Sequence, residues 1–193
     1  MYDLQTAVEV GDKTFNIRNK GDFRMVLDCF EAINDSTLTE AERLISCCII
    51  FYEDFNSIAD LLENMDILEQ LQNEMIRFFN GGEDSVSGNA KQHRLIDWTK
   101  DSNLICSAIN NVAKQEIRSL KYLHWWTFLG YYNAIGECPL TTIVSIRYKI
   151  AEGKKLEKYE VKFQQDNPEY FNIDMRSAEQ KEADDYIHRL WGE

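Results

Sequence analysis

The sequence predicts a mainly α fold: a multi-helix, bundle-like domain with a short N-terminal β-hairpin. Two observations point to helices. The 193 residues hold only two prolines and nine glycines, few for a chain of many short strands and tight turns. Leu, Ile, Glu, Lys and Ala also recur at helical spacings throughout. A third observation, alternating apolar and polar residues near the N-terminus, points to the hairpin. Hydrophobic residues make up 44% and aromatics 12% of the chain, enough apolar area to offset chain entropy in one domain of ordinary size.

The elements follow in order. Val8 and Val10 alternate with Glu9, Gly11 and Asp12 supply a turn, and Phe15 and Ile17 alternate with Asn16. A lone hairpin is marginal, so this one is expected to lie on helices. Asp22 caps a helix whose Phe23, Val26, Leu27, Phe30 and Ile33 form one stripe, ended by Asn34, Asp35 and Ser36. Thr39 and Glu42 have capping-box spacing, opening a second helix that runs to about Tyr52. Residues 58 to 78 read as one long or two short helices, stopped by Asn80, Gly81 and Gly82.

The small, polar stretch 81–91 reads as a flexible loop or linker. Helices are then expected at about 101–113, 120–135, 139–150 with Pro139 at its first position, and 154–165. The last segment opens with Ser177 and Gln180, and its apolar residues Ile187, Leu190 and Trp191 crowd the far end, so it is expected to dock loosely. The organisation read in sequence order is thus 1–80, 81–91, 92–168 around an aromatic central helix, and 169–193, within one domain overall.

The formal charge of −12 and pI near 4.7 oppose non-specific nucleic-acid binding, which needs Lys and Arg to displace condensed counterions. Charge is uneven: residues 1 to 80 hold 16 acidic and 6 basic side chains, residues 121 to 163 hold 4 and 7. The longest nearly apolar run, Leu44 to Tyr52, falls far short of the roughly 20 residues that span a bilayer, so no membrane insertion is expected. Five cysteines form an odd set with no CxxC pair and no signal peptide is expected ahead of them, which suits reduced thiols in a cytoplasm.

No reactive constellation stands out. His93, His124 and His188 are isolated. Asp184 and His188 share a helix face, but two residues fall short of the three or four ligands a zinc site needs, so no metal is expected. Asp97 and Asp101 read as favourable charge at a helix start rather than as an acid and base pair. There is no phosphate-binding loop: Gly81 and Gly82 are followed by Glu83 and Asp84, which repel phosphate. No catalytic residue and no cofactor is expected. Arg147, Lys149, Lys154, Lys155 and Lys158 form a candidate basic face, although Glu152, Glu157 and Glu160 interleave with them as in a solvated helix.

The helix expected from about Leu120 to Ile135 carries the densest pattern, with Leu123, His124, Trp125, Trp126, Phe128 and Tyr132 as a candidate core or interaction helix. At 100° per residue Trp125, Phe128, Tyr132 and Ile135 share one side, and Leu123, Trp126 and Gly130 fall roughly opposite, so cover is needed on two sides. Gly130 costs about 1 kcal/mol against Ala in a helix, which suggests that another backbone passes close. The favoured reading is a central core helix with His124 hydrogen-bonded inside it; the other is a stripe that forms an oligomer or partner interface.

The run Tyr122 to Phe128, followed by Gly136, Glu137, Ile143, Ile146, Arg147 and Lys149, resembles the signature of the siphophage tail assembly chaperone family, the phage "gp-fifteen" proteins encoded near the tape measure gene. The similarity covers about residues 5 to 165. It implies a non-enzymatic helical protein in the host cytoplasm, absent from the mature virion. Such a protein binds the tape measure protein, recruits tail tube protein and self-associates as a homo-oligomer. No catalytic residue comes with the family. The competing readings are a structural virion component, in the tail or connector, and, more remotely, a small hydrolase or metal protein.

Overall fold

The computed structural model describes residues 3–84 and 93–176. Mainly α with a two-stranded antiparallel hairpin, it has the predicted fold class. The chain forms two compact units that are discontinuous in sequence, one from residues 1–85 and 112–134, the other from 86–111 and 135–193.

In the first unit, β1 (Ala7–Val10) pairs with β2 (Lys13–Asn16) so that Val8 faces Phe15 and Val10 faces Lys13. Val8, Val10, Phe15 and Ile17 are buried, as the alternation predicts. The hairpin is held by the turn that follows the second helix: the Glu53 N–H donates to the Asn16 carbonyl at 2.9 Å, and the Phe15 ring meets Tyr52 and Phe55 with centroids 6.0 and 5.6 Å apart.

α1 (Phe23–Asn34) is capped by Asp22, and α2 (Glu40–Phe51) by the predicted Thr39 and Glu42 capping box. These two helices pack so closely that the buried Cys47 thiol donates to the Cys29 carbonyl at 3.4 Å; both thiols are free. The stretch 58–78 resolves into two helices, α3 (Ile58–Leu62) and α4 (Leu68–Phe79), joined through a tight turn at Met65–Ile67. Leu71, Met75 and Phe78 bury one stripe of α4, and Phe51 of α2 meets Phe78 edge-on at 5.2 Å. The aromatic helix α6 (Trp125–Asn133) completes this unit against α1.

α5 (Ser102–Ala113), whose last two residues fall in the span of the first unit, α7 (Pro139–Ala151) and α8 (Lys158–Asp166) belong to the second unit, with a tight turn at Pro168–Phe171 that packs on α7 and α8.

Two helices start later than their periodicity predicts. Residues 120–124 do not join α6, because the Leu123 N–H and carbonyl are taken by Asp22 and by the Phe23 N–H. Residues 154–157 do not join α8. Gly153 turns left-handed at φ 64, the Lys154 N–H closes α7 on the Lys149 carbonyl at 2.7 Å, and the Glu157 N–H is held by Glu160. Residues 85–91 of the expected loop and the helix expected from Ser177 lie outside the described residues.

Candidate functional site

α6 is seated by the chain ends of two other helices. The approach to α1 is a left-handed bend, Asn19, Lys20 and Gly21 at φ 52, 53 and 77. Such a run is costly for non-glycine residues. The Tyr122 hydroxyl donates to the Lys20 carbonyl at 2.9 Å, and the Arg18 guanidinium donates to the carbonyls of Ile49, Ile50, Tyr52 and Phe55 at the end of α2. A Cβ at Gly21 would lie 2.6 Å from the Phe78 ring and 3.0 Å from His124 Nε2, so only glycine fits. The bend delivers the buried Asp22 to the start of α6.

His124 is the N-cap of α6. Its backbone is extended, at φ −60 and ψ 141, and its Nδ1 accepts the Trp126 N–H at 3.0 Å. That leaves Nε2 as the protonated nitrogen, donating to the Gln5 carbonyl at 2.9 Å. The ring is buried between Phe78 and Trp126, with centroids 5.4 and 5.5 Å away. Burial holds the His124 pKa below its ordinary value, against the opposing pull of the Gln5 carbonyl and Asp22.

The two tryptophans bind the end of α4. Trp125 Nε1 donates to the Phe79 carbonyl and Trp126 Nε1 to the Phe78 carbonyl, both at 2.9 Å, so both tryptophans bind the carbonyls that end α4, the second of which also accepts the Gly81 N–H at 3.1 Å. Trp125 also stacks on Phe128, which stacks on Phe23 of α1 at 4.7 Å. Leu123, Trp125 and Phe128 are buried, and Trp126 and Tyr132 are half-buried. The expectation for Gly130 is overturned. It is exposed, and among the described residues a Cβ there would meet nothing within 4 Å. Besides Gly21, a close neighbour does crowd Gly82, at φ 90, where a Cβ would sit 3.1 Å from the Trp126 ring.

The basic stretch divides. Arg147 is fully buried and so cannot belong to a surface face: it forms a bidentate pair with Asp101 at 2.6 and 2.9 Å, and donates to the carbonyls of Leu95 at 2.9 Å and Tyr170 at 2.8 Å. Asp101 in turn accepts the Asp97 N–H at 2.9 Å. The two carboxylates are therefore a structural brace within the second unit. Lys149 pairs with buried Glu160 at 2.6 Å, a bond that raises the lysine pKa and lowers that of the glutamate. Lys154 donates to the Tyr148 hydroxyl at 3.0 Å, and Lys154, Lys155 and Lys158 are exposed. Among the described residues no group of three or more His, Cys, Asp or Glu is placed to hold a metal, and no helix is long and apolar enough to cross a membrane. Asp184 and His188 lie outside the described residues.

The capping role of Asp22 was legible from its place before an apolar stripe. Arg18, Gly21 and Gly82 carry no local signal of their roles, because the groups they meet lie far off in sequence. A family model described as Bacteriophage Gp15 protein matches residues 1–170. No curated protein and no solved structure matches the chain.

Proposed function

We propose that this chain, which belongs to the bacteriophage Gp15 protein family, acts as a tail assembly chaperone. It binds the tape measure protein in the host cytoplasm, keeps its apolar helices dispersed and brings tail tube subunits to it. It does not enter the mature virion, and the role is one of binding, without catalysis.

The observation that carries this reading is the family match over residues 1–170, which takes in the His124 to Trp126 run, its seat on α1 and α4, and the Arg147 brace. The charge of −12 supports it, since a strongly charged carrier keeps a complex with a sticky client dispersed. The burial of Trp125 and Phe128 in their own unit supports a scaffold role for these two rings of the aromatic signature.

Co-expression with the tape measure protein encoded by the same phage is the direct test. Higher tape measure solubility and co-purification of the two are expected; unchanged solubility without co-purification rejects the reading. Mass spectrometry of purified particles supplies the second check. Stoichiometric presence there would move the protein to the structural components of the virion.

A further inference from the structure

The first unit leaves one apolar row in water. Ile58, Leu62 and Met65 are 56%, 62% and 56% exposed. Ile58 and Leu62, at i and i+4, share one side of α3, and Met65 opens the turn at Met65–Ile67, so the three follow one another along a short arc of chain that bends at Asn64 (φ −124, ψ 25). The arc cannot roll to hide this row, since the neighbouring Leu61 is already 2% exposed and anchors α3 inward. Single exposed apolar residues are ordinary, whereas a contiguous row rimmed by charge marks an interaction surface.

The rim is mainly acidic. From Leu44 to Ile76 the chain holds seven acidic residues and no Lys, Arg or His. Glu63, Asp66 and Glu69 are exposed beside the row, and Lys13 reaches in from the hairpin turn to donate to Asn64 at 3.0 Å. A second copy of the same arc would set carboxylates against carboxylates, which disfavours self-pairing through this face.

We infer that the Ile58, Leu62 and Met65 row is a docking surface for an amphipathic helix that carries an apolar stripe flanked by lysine and arginine. Apolar anchors of the incoming helix meet Ile58 and Leu62 on α3 and Met65 beyond it, and the acidic rim steers the cations and turns away acidic helices. This assignment rests on the chaperone reading, for which it names the gripping surface and the class of client helix.

The test uses the full chain and three synthetic peptides: an amphipathic helix with a leucine stripe and lysine polar face, the same stripe with a glutamate polar face, and a scrambled order of the lysine peptide. The lysine peptide is expected to bind, less tightly as salt rises, and the other two at least about tenfold more weakly. Leu62→Asp is expected to cut lysine-peptide affinity by about tenfold, even though it adds negative charge. Glu63→Lys with Asp66→Lys lowers it too and admits the glutamate peptide. Val161→Asp on α8 leaves it unchanged. Circular dichroism and melting confirm that each variant is folded.

Equal binding of the scrambled peptide would reduce the effect to net charge and overturn the inference. So would full affinity in Leu62→Asp, or a change confined to self-association in sedimentation. The chaperone reading fails separately. If Leu62→Asp still solubilises the tape measure protein as the native chain does, this surface falls and the chaperone stands. If the peptide binds at the arc but tape measure solubility never responds, the chaperone falls and the helix-binding surface stands.

Discussion

The Asp22 carboxylate and the Leu123 amide meet across 101 residues of sequence: Oδ2 accepts the Leu123 N–H at 2.9 Å while Oδ1 accepts the Arg24 N–H at 3.0 Å. The Phe23 N–H returns the link by donating to the Leu123 carbonyl at 2.9 Å. One side chain therefore starts α1 and pins the chain at the point where α6 starts. The unit closes on this joint, because the Phe23 and Phe128 rings that stack at 4.7 Å lie just beyond it.

Asp22→Ala removes a helix cap and leaves the buried Leu123 N–H without its acceptor, so it is expected to cost about 2–4 kcal/mol. Asp22→Asn keeps an acceptor oxygen and is expected to fall between the variant and the native chain. Urea unfolding gives the order, and an Asp22→Ala protein as stable as the native one would mean that the joint contributes nothing.

His124 ties stability to pH. Its folded pKa is lowered by burial, so the unfolded chain binds the proton more readily. The contribution is fully present above the ordinary histidine value of about 6.5 and is lost as pH falls from there toward the folded pKa. Protonation also fills Nδ1, the atom that accepts the Trp126 N–H. Melting temperature is expected to drop from neutral to mildly acidic buffer, and His124→Asn, which can still cap, should flatten that drop. An identical drop in the variant would place the pH dependence in other groups.

What was legible in the sequence is what short spacings decide. The Thr39 and Glu42 box closes within three residues, with the Thr39 N–H held by Glu42 at 2.8 Å, and the hairpin alternation needs no knowledge of what covers it. Contacts made at long range were not legible. Residues 120–124 have helical spacing, yet their backbone is claimed by Asp22 and Phe23. Arg147 sits among lysines in sequence and looks like surface charge, but its partners Asp101 and Leu95 lie 46 and 52 residues away. A glycine in a helix says only that something permits it, so Gly130 pointed to a neighbour that is absent among the described residues, whereas Gly82 has one.

The two glycines are expected to respond with opposite signs. Gly82→Ala forces a side chain into a left-handed conformation 3.1 Å from the Trp126 ring and is expected to destabilise by about 1–3 kcal/mol. Gly130→Ala adds a methyl to open space inside α6 and is expected to stabilise by up to about 1 kcal/mol. Parallel thermal melts of the two variants decide it. Destabilisation by Gly130→Ala would reveal a neighbour at that face after all.

The Asp101 and Arg147 pair, 1% and 0% exposed, is the other joint on which the fold depends. Arg147→Met strands a buried carboxylate, and Asp101→Leu strands a buried guanidinium, so each is expected to cost about 3–5 kcal/mol. The double variant leaves no buried charge and should recover part of the loss. Recovery stays incomplete, because the double variant strands the Leu95 and Tyr170 carbonyls, which Arg147 holds, and the Asp97 N–H, which Asp101 holds. A double-mutant cycle in urea measures this coupling. Additive losses would mean that the two side chains act independently, which their bidentate geometry argues against. Added salt should barely change the native stability from this pair, since screening ions cannot enter a site that water does not reach.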